Sequence, residues 1–341
     1  MESVNNMLRY NDISEKQKFP QCVKIKSICD VKRYLGDYLS TNVANYAFRG
    51  VNNAAFCLYS SLQRYWLEKG YDNFDTVEYI KYQIRQVRND RYLMKNLATD
   101  ANNSITDYNI LAMIQHYGGR SALIDFSYSP QSAMFFAFDR VDKKNASDID
   151  DIANYVSFYV LEYSNAELAG PTDVYDKETI NGKNSGDFLN DELEKEGIPL
   201  SQIDASSVLT DFEMMPYNKI YDGKLVHGGL RSCINTKIPF FNFQTTSKIS
   251  NENLKAQDGC FVQGFSDKNP LDENETLRRH LKCFNIHKCL IDNIIHQYNI
   301  PTDRDTIYPP TSEKKMIEEH VQALDNIPKS GECQKTNLEK K

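Results

Sequence analysis

The chain has 341 residues, of which 40% are hydrophobic and 26% charged, and a formal net charge of −7. At ~100–200 residues per domain the length suits one elaborated domain, and a composition near the globular average can bury a core. The acidic balance, with a pI near 5.5, argues against nucleic-acid binding spread over the whole surface, which needs a basic surplus, and leaves only a local basic groove open.

The opening MESVNNMLRYNDISEKQKF has no basic end followed by an apolar core, and no apolar run reaches ~18 residues, so a soluble, cytoplasmic protein without membrane association is expected. Eight cysteines never form a CxxC and six histidines are scattered. That spacing implies no metal site and no redox pair, and predicts reduced, mostly buried thiols.

In chain order, Ser27 followed by Val31, Tyr34, Leu35 and Leu39 reads as a capped amphipathic helix. NYAFRGV is the first clear strand, with one arginine inside its apolar run. From Asp75 to about Leu97, Val77, Ile80, Ile84 and Val87 fall at helical spacing, with Lys81, Arg85, Arg88 and Arg91 on other faces. The basic set is a solvated face in the simpler reading and an anion or nucleic-acid surface in the other.

ITDYNILAMIQHYGGR is a helix with Ile110, Leu111 and Ile114 inward, ended by Gly118 or Gly119 as a left-handed cap. A strand through Ala122 to Phe126 follows, then a helix capped by Ser129 with Pro130 in its first position. NYVSFYVLEY has the unbroken apolar pattern of a central strand.

From about Ser164 to Lys219 the chain turns polar and acidic, as an insertion or lid would. KIPFFNFQ, GCFVQGF and LKCFNI read as strands, with SKISNENLKAQD a loop or short helix. A helix from His287 to Tyr298 carries Leu290, Ile291, Ile294, Ile295 and Tyr298 on one face. A last helix puts Ile317, Val321 and Leu324 inward, and the tail after Pro328 frays.

Three polar clusters close these apolar elements: Arg49 with Gly50, Gln115 through Asp125 and Ser127, and Gln257 with Gly259. Strand ends that are polar and distant in sequence suggest one shared cleft. Arg49 offers a planar fork suited to phosphate or carboxylate, beside a glycine that permits close backbone approach. Its plainer role is an ion pair with Asp125, and the two are compatible. Asp125 either orients Arg49 or caps the next turn, Ser129 is best read as a cap, and His116 is a core histidine or a ligand hydrogen-bonding group. No GxSxG, HExxH, P-loop or GxGxxG occurs. The chain also lacks an acid cluster of the kind a two-metal nuclease uses.

These residues resemble those of the FRG domain family, named for a Phe-Arg-Gly tripeptide that stands here as Phe48, Arg49 and Gly50. CLYSSLQR, with Leu58, Ser61 and Arg64, is similar to the family's L-x-P-S-L-x-R. QHYGGRSALIDFSYSPQSAMFFAF is similar to its QHYGLPTRLLDWTxxPxxALFFA, and NLKAQDGCFV to its RIxxQxGxF. The closing helix and TIYPP resemble the family's ending. The family's Thr-Arg is replaced by Ser121 and Ala122, with an arginine at Arg120, and the arginine of RIxxQ by Asn253.

The order of motifs also resembles ADP-ribosyltransferases of the Arg-Ser-Glu type. That resemblance implies an α+β fold with a split, mostly antiparallel sheet and flanking helices. The domain then runs over 25–327 with the insertion at 164–219, after an extension 1–24 and before a tail 328–341. It implies NAD as substrate and no metal. Arg49 would hold a phosphate or ribose, Ser127 or Ser121 the nicotinamide ribose, and Gln257 the third position. Gly50, Gln115, His116 and Tyr117 would line the dinucleotide, and Asp125 or Asp258 would supply the missing acid.

Bacterial chains of this kind resemble toxins and phage-defence effectors. The implied acceptor is a macromolecule, RNA, DNA or protein, and an antitoxin or inhibitory protein would cover the 164–219 segment. The other reading is a non-catalytic module in which Arg49 grips a nucleotide or an acidic partner.

Overall fold

Seven of the eight residues from Tyr155 to Glu162 are buried, which a strand achieves only where both faces of its sheet are covered. The computed structural model describes residues 9–16, 21–40, 46–69, 76–100, 107–142, 148–162, 240–241, 256–263, 270–273, 280–309 and 314–324. Its strands are β1 Cys22–Ile25, β2 Tyr46–Val51, β3 Leu123–Ser127, β4 Tyr155–Glu162, β5 Phe240–Phe241, β6 Gly259–Gln263 and β7 Leu281–His287. They form one sheet in the order β1-β7-β4-β2-β3-β6-β5. Only β1 and β7 run parallel; the other five pairings are antiparallel.

The fold is therefore α+β, with a mostly antiparallel sheet and flanking helices. The two halves of the sheet are joined weakly. β2 pairs with β4 over six residues and β3 with β6 over five, whereas β2 and β3 share only Phe48 opposite Ser127.

The helices are α1 Ile13–Lys16, α2 Ile28–Ser40, α3 Ser61–Lys69, α4 Thr76–Asn89, α5 Arg91–Asp100, α6 Asp107–His116, α7 Pro130–Phe138, α8 Ile291–Tyr298, α9 Arg304–Ile307 and α10 Lys314–Ala323. α2 begins with a reciprocal box. The Asp30 N–H donates to Ser27 Oγ at 3.2 Å and the Ser27 N–H to Asp30 Oδ2 at 3.0 Å, so two orphan donors are satisfied at once. α2, α7 and α8 cover one face of the sheet, where Phe48, Phe158 and Phe284 meet Val31, Leu35, Ala133 and Ile294. α4, α5, α6 and α10 enclose a second core around Ile80, Leu111, Ile114 and Val321.

From Thr76 the segment read up to about Leu97 is two helices, not one. Asp90 accepts from the N–H groups of Tyr92 at 2.9 Å and Leu93 at 3.1 Å, starting α5 anew. The apolar period runs on across this break, which is why it is invisible to periodicity. The segment after His287 likewise opens as a 3₁₀ turn, Lys288–Leu290, before α8. Leu290, Ile291 and Ile294 are buried there, and Ile295 and Tyr298 are half-buried.

The described residues before 25, 9–16 and 21–24, belong to the body of the fold. Tyr10, Ile13 and Lys16 are buried and β1 pairs with β7. Lys16 Nζ donates to the Ala54 carbonyl and to Ser157 Oγ, both at 2.7 Å. Close by, the buried Asp272 carboxylate accepts from Tyr10 Oη at 2.8 Å, the Leu58 N–H at 3.0 Å and Tyr159 Oη at 3.3 Å. The polar segment 164–219, most of the loop before Gln257, and the tail after Pro328 lie outside the described residues. Among the described residues no helix is long and apolar enough to cross a membrane.

Candidate functional site

β2 and β3 part immediately after the Phe48–Ser127 pair, and the gap they leave is the floor of a cleft. Gly50 makes it possible. A Cβ there would lie 1.8 Å from the Ala133 carbonyl oxygen and 2.4 Å from the Ala137 nitrogen, so only glycine lets α7 settle against the strand. Ser129 caps α7, its Oγ accepting from the Ser132 N–H at 3.1 Å, with Pro130 in the first turn.

Where the ladder ends, a side chain takes over from the backbone. Arg49 Nη1 donates to the Asp125 carbonyl oxygen and stands 3.9 Å from the Asp125 carboxylate. The ion pair read from sequence is thus present, and both partners line the cleft. Burial lowers the Arg49 pKa, with Asp125 pulling the other way. Protein packed densely around Asp125 raises its carboxyl pKa against the pull of Arg49 and Gln115, although 53% of the side chain meets solvent through the cleft mouth.

The end of α6 supplies the next wall. Gly118 adopts φ of +80° and the Gly119 N–H donates to the Ile114 carbonyl at 2.8 Å, a glycine-terminated helix end. Gln115 and His116, in the last turn, line the cavity with Gly118. Gln115 Nε2 donates to Asp125 Oδ2 at 2.8 Å. Burial, and then the charge of Lys314, lower the His116 pKa to about 4, leaving a neutral ring near pH 7.

Ser127 Oγ donates to the Gln257 carbonyl at 2.5 Å and lies 3.1 Å from that of Ser129, while accepting the Ser129 N–H at 2.9 Å. Gln257 Nε2 donates to the Ile307 carbonyl at 3.1 Å. Both residues line the cleft with their polar groups engaged by backbone.

Three expected residues lie elsewhere. Ser121 is buried at the far end of β3, where it accepts from the Leu123 N–H. Tyr117 packs on the core beneath α6. Asp258 sits in a left-handed turn conformation with φ of 49°, its carbonyl accepting from the Tyr128 N–H. None of the three lines the cleft. Arg85, Arg88 and Arg91 are solvent-exposed and also stand outside it.

The cavity measures about 350 Å³, at the small end of ligand sites. Phe136, Tyr308, Lys314 and Glu318 complete it, and sequence reasoning did not single them out as site residues. Lys314 and Glu318 are four apart, on one face of α10. Arg64 contributes at a distance, its charge opposing that of Arg49 and favouring ionised Asp125. A broader groove of about 450 Å³ beside α2, with Tyr38, Tyr46 and Lys282, contains none of the candidate site residues. Of the described cysteines, Cys57, Cys260 and Cys283 are buried, Cys22 is half-buried, and Cys29 and Cys289 are exposed. Among the described residues no group of three or more His, Cys, Asp or Glu side chains is arranged to hold a metal ion.

The fold and site define an α+β domain that carries one cleft at the parting of its sheet, with guanidinium, carboxylate and amide groups converging there. Residues 44–146 match the family model of the FRG domain, and the chain carries that domain. The match covers β2 through α7, and with them Arg49, Gln115, His116, Asp125 and Ser127. Comparison with curated proteins finds no match, and comparison with solved structures finds none either.

Proposed function

We propose that the cleft binds NAD and that the protein transfers ADP-ribose to a macromolecule. The observation that carries this is the convergence of Arg49, Asp125 and Gln115 at the single-pair seam. Three buried polar atoms there, Arg49 Nε, Gln115 Oε1 and His116 Nε2, lack a hydrogen-bond partner among the described residues. Buried polar atoms without partners are costly in a finished protein and are expected where a ligand completes them. They fit a ligand that is both anionic and rich in hydrogen-bonding groups.

The reaction breaks the ribose–nicotinamide bond, releases neutral nicotinamide, and joins the ribose carbon to an acceptor atom that gives up its proton. Arg49, with Lys314 and the field of Arg64, supplies positive charge for the phosphates. Asp125 and Glu318 place two carboxylates in the same cavity, where positive charge develops on the sugar. Gln257 orients without carrying charge, so the acidic role passes to those two residues. Phe136 and Tyr308 give the cavity aromatic walls. The macromolecular acceptor is protein, RNA or DNA, and the resemblance to toxins and phage-defence effectors suggests the setting in which such an activity would act, in the cytoplasm.

One observation favours a second reading, a non-catalytic nucleotide- or partner-binding module. Ser127 Oγ and the Gln257 amide are engaged by backbone, so two of the three positions expected of a transferase are not free to act. Nicotinamide release from labelled NAD decides between them. Turnover that disappears in Arg49→Ala supports the transferase, and NAD binding without turnover supports the module.

A further inference from the structure

Gln115 reaches the cleft with its amide already turned. A carboxylate only accepts, so the 2.8 Å contact to Asp125 Oδ2 places Nε2 on the acid and leaves Oε1 on the other side, buried and unpartnered among the described residues. A lone carbonyl acceptor is completed by an N–H or O–H and repels another acceptor. His116, one position along the same helix turn, also lines the cavity, and its buried Nε2 has no partner among the described residues; in a neutral ring that nitrogen donates or accepts according to the tautomer. The ring is neutral near pH 7, so it forms a hydrogen bond without attracting an anion. The cavity therefore divides by chemistry: its positive groups are Arg49 and Lys314, and its α6 wall is uncharged and carries, at Gln115 Oε1, an acceptor that requires a donor.

We infer that Gln115, beside the neutral ring of His116, selects a base edge bearing an N–H donor, a carboxamide or an exocyclic amine, within a cavity that seats one mononucleotide unit. The inference rests on reading the cleft as a nucleotide site and goes on to say which half-ligands it accepts. A carboxylate in place of the N–H would set lone pair against lone pair at Gln115 Oε1, and a base edge without a donor would leave that oxygen unpaired. A site built to hydrogen-bond a substrate N–H rejects analogues that lack it, because its own buried group is then left unpaired. The volume of about 350 Å³ agrees with one nucleotide rather than two, the remainder of a dinucleotide lying outside the cavity.

Calorimetric titration of the full chain with two matched pairs tests this: nicotinamide mononucleotide against nicotinic acid mononucleotide, and AMP against purine riboside 5′-monophosphate, which lacks the exocyclic amine. The expected result is that in at least one pair the amide or amine member binds about ten-fold or more tightly, and the pair that discriminates tells which base is read. Gln115→Leu should then abolish the difference within that pair, in protein whose circular dichroism matches wild type. If that variant does not fold, the titrations of intact protein still decide. Equal affinities within both pairs, a preference for the member that lacks the N–H, or no binding of any mononucleotide would each overturn the inference. Discrimination without nicotinamide release from NAD would refute the transferase reading and leave this one standing, whereas release with equal affinities would do the converse.

Discussion

The Arg49 guanidinium donates to the backbone carbonyl of Asp125 at the point where the ladder between their strands stops. A side chain thus occupies the place of a main-chain pairing and holds the sheet open while facing the cavity. The glycine after it lets α7 close against the strand from the opposite side.

Arg49→Ala is expected to remove NAD binding with little loss of stability. Only 21% of the arginine side chain but 53% of Asp125 is exposed, so the aspartate left behind is hydrated and the change in stability stays under about 1 kcal/mol. Affinity, measured by calorimetry, should fall by at least about ten-fold. Arg49→Lys should not restore it, because an ammonium lacks the planar fork. Unchanged affinity in the alanine variant would take Arg49 out of the site.

Gly50→Ala tests the packing. The added methyl meets backbone atoms of α7 at 1.8 and 2.4 Å, which cannot yield as a flexible side chain would. Chemical denaturation should show a loss of about 3 kcal/mol or more, or no folded protein at all. A variant with wild-type stability would mean that α7 does not rest on β2 as described.

His116 gives a pH dependence with a definite sign. Its folded-state pKa is lowered from 6.5 to about 4, so between those values the unfolded chain takes up a proton that the native ring refuses. Wild-type protein should therefore lose stability as pH falls from about 6.5 to about 4, by up to roughly 3 kcal/mol from this group, and the loss is absent above 6.5. His116→Phe should flatten this part of the profile in urea titrations at stepped pH. Parallel profiles for the two proteins would show that the ring is not buried in its neutral form.

Asp272→Ala should be more damaging than its distance from the cleft suggests. Three donors, Tyr10 Oη, Tyr159 Oη and the Leu58 N–H, lose their acceptor in a buried setting, and the nearby Lys16 ammonium loses a compensating charge. At about 1–3 kcal/mol for each unsatisfied group the total is about 3 kcal/mol or more, with Asp272→Asn recovering part of it. A thermal melt in which both variants match wild type would argue against a closed network.

The sequence by itself determined what depends on near neighbours. Strand β4 announced itself by an unbroken apolar run, α2 by Ser27 ahead of a 3.6-residue stripe, α7 by Ser129-Pro130, and the end of α6 by paired glycines, because caps, turns and periodicity act over a few residues. The Phe48-Arg49-Gly50 tripeptide and Asp125 were visible as polar interruptions in apolar strands.

Only the tertiary structure decided where those interruptions went. It brought Arg49 to Asp125, sent Ser121 to the opposite end of β3, engaged Ser127 and the Gln257 amide with backbone, and set Lys314 and Glu318 of the last helix into the cavity. It also buried Lys16, which composition alone would leave in water, by supplying acceptors from residues 54 and 157. Those outcomes rest on contacts between segments far apart in the chain, and a residue's own neighbours carry no record of which distant group will meet it.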